Sequence, residues 1–320
     1  MADGHVISSY RYLRLALVVV TVTLGVSLLF EIVAAGCYQG SISAFYYTPV
    51  HSVFVGALFV IGVSLVALIG KDLVEDLLFN LAGFLAPIVA LVPTARPTDL
   101  CGPPERHLGI SESIPGQDPT VATTDLLVTN NAWALFLGFL VAFVVALLLA
   151  TRSTSRLERL RQVSRASWVG LGLSLLVLII GLVWFLNWRT SFDRRAHGTS
   201  AVLMFVAIWM AVLINADFER LRPIVHRPYR WLDVRPPTFS SESKHESFFR
   251  GQYKLIAWFM AIAGIVLGYG VATGVSHAVF WLEAAEIIPF AYFWVLQTAE
   301  GWTSTSIAPG SSPTSPSAPQ

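Results

Sequence analysis

Carboxylates stand in this chain where an apolar sequence has little means of holding them. Glu283, Glu286, Phe290, Phe293, Gln297 and Glu300 alternate by three and four within one largely apolar stretch. That spacing places them on one helix face. A carboxylate in lipid is costly unless it is paired or protonated, so this face must look inward or the segment must not span. Asp76, Asn80, Gly83 and Pro87 repeat the same steps on an earlier apolar run. Two roles suit that second stripe: hydrogen bonds to neighbouring helices, or the wall of a path or pocket open to the cytoplasm. Glu31 lies inside a third apolar run. It has either a local partner such as Arg189, Arg194 or Arg195, or a functional role.

Metal chemistry is the second candidate. His51, His197 and His277 each begin an apolar run, and with Glu31, Glu283 or Glu286 they could supply a zinc ion. No HxxxH or HExxH pair fixes two of these ligands on one helix, and a solvated histidine at a helix end explains each as well. His51 and Asp76 cannot share a site. About 20 residues of helix separate them in depth, close to 30 Å.

Long helices must position these groups. Of 320 residues, 55% are hydrophobic and 13% charged, where a soluble domain carries roughly 25% charged. The chain therefore reads as an all-α, polytopic transmembrane helical bundle. About eight spans are expected, near residues 15–36, 51–70, 73–94, 132–150, 168–186, 199–216, 255–272 and 277–300. The last contains Glu283, Glu286 and Pro289, so seven spans is the alternative. Residues 95–130 form a Pro/Gly-rich outer loop, 151–167 and 217–254 cytoplasmic loops, and 303–320 a disordered Ser/Pro-rich tail. The AAGC sequence ending at Cys37 also resembles a lipoprotein cleavage site, against which the long run and Glu31 both count.

Orientation follows from charge. With residues 1–14 in the cytoplasm, cytoplasmic segments hold 16 of the 21 Lys and Arg and outer segments hold 5. Positive-inside asymmetry thus places the N-terminus inside. Cys37 and Cys101 then both face the outer, oxidising compartment and can form a disulfide, with two free thiols as the alternative.

Packing and capping account for other residues. Asp72 and Glu75 suit the N-terminus of a helix. Gly264 and Gly268, then Gly270 and Gly274, form GxxxG pairs for close helix approach. Tyr46, Tyr47, Trp281, Trp294 and Trp302 include candidates for interfacial anchors. Arg152, Arg156, Arg159, Arg161 and Arg165 suit anionic lipid headgroups, with no basic folded domain to favour nucleic acid. No nucleotide-binding glycine loop, ATPase motif or Ser-His-Asp arrangement is legible.

The segments SISAFYYTPVHSVFVGALF and DLLFNLAGFLAPIVALVPT, with the closing FAYFWVLQTAEGW, resemble a family of uncharacterised multi-pass membrane proteins common in actinobacteria. The resemblance implies a bacterial plasma membrane protein and carries no activity with it. A looser similarity is to the alkaline ceramidase and adiponectin-receptor superfamily, whose members use a Ser, an Asp and three His around zinc. Here Ser43 and His51 are eight residues apart rather than four, Asp76 is on the wrong side, and HxxxH is absent.

The expected function is a non-enzymatic, transporter-like or small-ligand or lipid-binding bundle without a cofactor. The alternatives are a zinc-dependent lipid hydrolase at the outer face, or an accessory subunit that binds other membrane proteins.

Overall fold

The computed structural model describes residues 2–71, 73–97, 99–108, 119–151, 165–218, 221, 226 and 244–303. The expectations for Asp72, for Arg152, Arg156, Arg159 and Arg161, and for the tail beyond residue 303 lie outside these residues, as do those for the side chains of Arg165 and Trp302.

All regular structure among the described residues is helical. The helices are α1 (Ala2–Ala35), α2 (His51–Ala67), α3 (Leu73–Leu91), α4 (Pro119–Thr151), α5 (Arg165–Asn187), α6 (Arg189–Ala216), α7 (Lys244–Ala272) and α8 (Ala278–Thr303). Two 3-10 turns, Ser43–Tyr47 and Pro104–Arg106, lie between them. Six helices are long and apolar enough to cross a membrane: α1, α3, α4, α6, α7 and α8. The apolar part of α5, Gly172–Asn187, and α2 are shorter. At 17 residues α2 is about 25 Å long. The 3-10 turn Ser43–Tyr47 precedes it, and a non-helical link, residues 68–71, follows it.

Several helices begin before their apolar runs do. α4 starts at Pro119 and α6 at Arg189, both in stretches that composition assigns to loops. In α6 a local pair supports the polar turn. Arg189 Nε donates to Asp193 Oδ1 at 2.8 Å, one helical turn away. Only Trp188 separates α6 from α5, and the two pack on each other.

Six helices close a ring, in the order α1, α2, α3, α6, α7, α8 and back to α1, each packed on the next. α4 and α5 lie outside it, against α3 and α6. The ring has one end marked by Cys37 and Cys101 and the other by Lys71. Between them Phe79 of α3, Phe293 and Trp294 of α8 and Tyr253 of α7 form an aromatic stack, with centroid separations of 5.3 Å to 5.6 Å. With lipid as solvent, such packing rather than hydrophobicity holds helices together.

The tightest crossing is between α2 and α3, at Gly62 and Gly83. A Cβ on Gly62 would stand 2.8 Å from the Gly83 carbonyl oxygen, and one on Gly83 would stand 2.7 Å from that of Gly62. Pro87 explains why this carbonyl is available. It lacks the N–H that would bond Gly83, four residues earlier. Its ring also rests on Gly62, with Cδ 3.0 Å from the same Cβ position.

The GxxxG pairs of α7 do not play this part, contrary to expectation. Gly268 has nothing within 4 Å of a Cβ position, and Gly264 meets only the Glu286 carboxylate, at 3.8 Å. Gly270 and Gly274 serve the turn into α8, where Gly274 adopts φ +73. The difference is one of facing: Gly268 points where nothing approaches, and Gly264 and Gly270 meet side-chain atoms of α8 rather than a helix backbone.

Gly62→Ala and Gly83→Ala are each expected to destabilise the protein by about 1–3 kcal/mol through overpacking. Gly268→Ala should stay within about 1 kcal/mol of the parent. Thermal unfolding in detergent, followed by tryptophan fluorescence, checks the ordering.

Candidate functional site

At the disulfide end the ring is closed by a built cap. Cys37 and Cys101 are joined, with Cα atoms 6.1 Å apart. Gln39 then pairs with the backbone of Cys101 in both directions, at 3.0 Å and 3.1 Å. Arg106 grips Glu31 with two hydrogen bonds, at 3.0 Å and 2.5 Å. The partner of Glu31 is thus a loop arginine, not Arg189, Arg194 or Arg195. The loop adds a backbone bond from Leu108 N to Tyr47 O at 2.9 Å. Beneath it the turn Ser43–Tyr47 is wholly buried.

That turn is buried, so its first N–H groups need partners from protein. Glu283 of α8 supplies them. Its Oε2 accepts from Ile42 N at 2.5 Å and Ser43 N at 3.2 Å, and its Oε1 lies 2.6 Å from Ser43 Oγ. On the other side of the same hydroxyl is His197 of α6, with Nε2 at 2.9 Å. His197 Nδ1 lies 2.8 Å from the carbonyl oxygen of Val92.

Counting protons fixes what this chain of contacts holds. A carbonyl only accepts, so Nδ1 carries a hydrogen. Two contacts remain, Nε2 to Oγ and Oγ to Oε1, and each needs one hydrogen between its atoms. Ser43 has one. One more must come from Glu283 or from His197. Either Glu283 is a neutral acid beside a neutral imidazole, or Glu283 is an anion and His197 a cation. A concerted shift of two protons through the Ser43 hydroxyl interconverts the two states.

This is not a hydrolytic relay, although it contains a serine, a histidine and an acid. In such a relay the acid orients the far nitrogen of the histidine. Here a carbonyl does that, and the acid sits on the serine. The backbone N–H groups of Ile42 and Ser43, which could hold an oxyanion, are occupied by Glu283.

Ser43 and Glu283 face a cavity of about 50 Å³ inside the ring. The rest of its wall is mainly apolar, including Leu24, Phe54, Met204 and Phe290. A water needs roughly 10–15 Å³ measured this way. The space suits a few water-sized molecules and not a drug-sized ligand.

A second polar cluster closes the ring at the Lys71 end. Glu75 is 1% exposed; its Oε1 accepts from Asn215 Nδ2 at 2.6 Å and its Oε2 from Lys71 N at 2.5 Å. Lys71 Nζ donates to Asn215 Oδ1 at 2.9 Å and to Glu300 Oε2 at 2.8 Å. Gln297 donates to Asn215 at 3.1 Å, and Tyr253 Oη to Glu300 at 2.8 Å. Arg14 of α1 reaches the Gln297 carbonyl at 2.8 Å. Tyr10 bonds both the N–H and the carbonyl of Ile69. All six ring helices or their links therefore meet in this cluster.

The sequence candidates divide between these places. Glu283 and His197 belong to the first, and Gln297 and Glu300 to the second. Asp76 accepts from Gly70 N at 3.1 Å and from Asn80 at 3.2 Å, beside the second cluster. Glu286 is buried opposite Gly264 on α7. His51 caps its own turn, with Nδ1 2.8 Å from Tyr46 O, and His277 Nδ1 lies 3.4 Å from Gln39 O. His51, His197 and His277 are thus engaged separately. Among the described residues no group of three or more His, Cys, Asp or Glu could hold a metal ion.

Sequence reasoning does not single out Lys71, Asn215 or Tyr253, and brings in Ser43 only for its spacing from His51. Asn215 had a readable signal, a lone amide within an apolar run. Ser43 had none, because its partners lie 154 and 240 residues away.

Comparison with protein-family models, curated proteins and solved structures returns no match.

Asn215→Leu removes the donor to Glu75 and the acceptor of Lys71 and Gln297. It is expected to destabilise the fold by about 1–3 kcal/mol. Thr23→Val, on an exposed face of α1, should leave the melting temperature close to that of the parent. Parallel melts in one detergent check both.

Proposed function

We propose that this chain is a transporter-like membrane bundle that handles protons through Ser43, His197 and Glu283. The carrying observation is the hydroxyl flanked by an imidazole and a carboxyl on the wall of a cavity inside the ring. Ionisable residues inside membrane helices mark ion paths and proton relays. The cavity lies within the ring, between the polar cluster at the Lys71 end and the cap at the disulfide end. Its volume fits water-scale cargo.

On this reading the bundle has eight spans, the six long helices plus α2 and α5. The N-terminus is cytoplasmic, supported by the distribution of Lys and Arg and by the disulfide at the other end. The resemblance to actinobacterial membrane proteins suggests a bacterial plasma membrane. The basic segments would then face anionic headgroups on the inner surface. The zinc hydrolase reading loses support, because its three histidines are engaged apart from one another.

Glu283→Gln is the decisive substitution. Its amide can donate to Ser43 and its oxygen can still accept from Ile42 and Ser43, so it mimics the neutral acid without being able to release a proton. Reconstituted protein should carry proton flux above empty liposomes, read with an entrapped pH dye under an imposed potential. Glu283→Gln and Ser43→Ala should each lower that flux by about tenfold or more. Thr23→Val, on an exposed face of α1 away from the cavity, should not. Flux equal to empty liposomes, or parental flux in both relay variants, overturns the reading.

A further inference from the structure

We propose that a second cavity, outside the ring, binds the acyl chain of a membrane lipid. It lies between α3 and the pair α4 and α5, and measures about 220 Å³. An apolar cavity of about 150 Å³ already takes up benzene. Its walls are aliphatic and aromatic, with Ser174 as the one polar side chain among them.

Shape decides the class of ligand. The cavity follows α4 from Ala132 to Phe143, twelve residues spanning about 16 Å of helix. On α3 it follows Phe84, Ile88 and Val92. It is a long cleft parallel to the helices, which suits a chain and not a compact molecule. The helices that bound it, α4 and α5, turn exposed Leu140, Val144, Leu176 and Ile179 outward. These are lipid-facing positions, so the cleft lies among acyl chains. A void there forfeits dispersion contacts that a chain restores.

The sequence leaves the space by using small residues. Ala132 and Ala142 line it on α4. At Gly181 the two outer helices touch, with Phe136 Cε1 3.3 Å from a Cβ position. Beyond Ser174 a narrower gap leads to Asn80, which hydrogen-bonds Asp76. Asn80 and Ser174 thus place polar groups at the Lys71 end of a cleft that is otherwise apolar, an arrangement that fits a chain entering beside its polar end.

This site shares no residue with the three side chains of the proton relay, so either proposal can fail without the other. The test uses purified full-length protein in mild detergent and a phospholipid bearing a diazirine in one chain. Photolabelling should saturate, compete with the unlabelled lipid, and map to cleft residues of α3, α4 and α5. Ser174→Phe and Ala142→Leu should each weaken labelling about tenfold, while Leu176→Phe, 51% exposed at Leu176, should not. Labelling that fails to saturate, or that falls on the exposed faces of α4 and α5 as strongly as in the cleft, overturns the proposal. If a filled variant is not monodisperse, the parent's competition and peptide map decide.

Discussion

Glu283 makes three hydrogen bonds to one buried turn, and the disulfide half of the bundle depends on them. A short 3-10 turn has few internal bonds and leaves its first N–H groups bare. Water would satisfy them at a surface. In this buried turn protein does so, and an acidic group also suits the positive end of a helical turn. Once Ser43–Tyr47 is held, Phe45, Tyr46 and Tyr47 are committed to the core, each under 5% exposed. The loop carrying Cys101 and Arg106 can then fold over them.

The opposite end solves the same problem with different parts. The chain must break between α2 and α3, which exposes backbone at residues 68–71. Glu75 and Asp76 accept from the N–H groups of Lys71 and Gly70, and Tyr10 bonds both backbone groups of Ile69. Glu75 thus has the capping role expected from its position in the first turn. Burial against Asn215 adds a tertiary role that local sequence does not announce. One carboxylate ties the start of α3 to the end of α6, and Lys71 ties both to α8.

What could be read in advance follows from the range of each interaction. Apolar runs are local, so the helical bundle was legible, as was the inward face of α8 carrying Glu283, Gln297 and Glu300. Helix starts at Pro119 and Arg189 were not, because polar first turns are indistinguishable from loops by hydropathy. The ring order was hidden too, since α3 packs on α6 across two intervening helices. The relay escaped for the same reason. His197 looked like a metal ligand or an interfacial residue until Ser43 and Val92 were brought to its two nitrogens.

The end of α3 joins these features into one mechanism. A helix leaves its last carbonyls unpaired, and here side chains from three other elements take that of Leu91 and those of two residues just beyond the helix. Asn131 of α4 donates to Leu91 O at 2.9 Å, His197 of α6 meets Val92 O at 2.8 Å, and Tyr47 donates to Thr94 O at 2.6 Å. Val92 also lines the apolar cleft, while its carbonyl fixes the tautomer of His197. The proton count at Ser43 holds only while that carbonyl is in place. If the end of α3 moves away, Nδ1 is no longer obliged to carry a hydrogen, and the shared proton can leave without breaking the contact to Ser43. The segment that anchors α4 to the ring through Leu91 is therefore adjacent to the carbonyl that fixes the tautomer of His197.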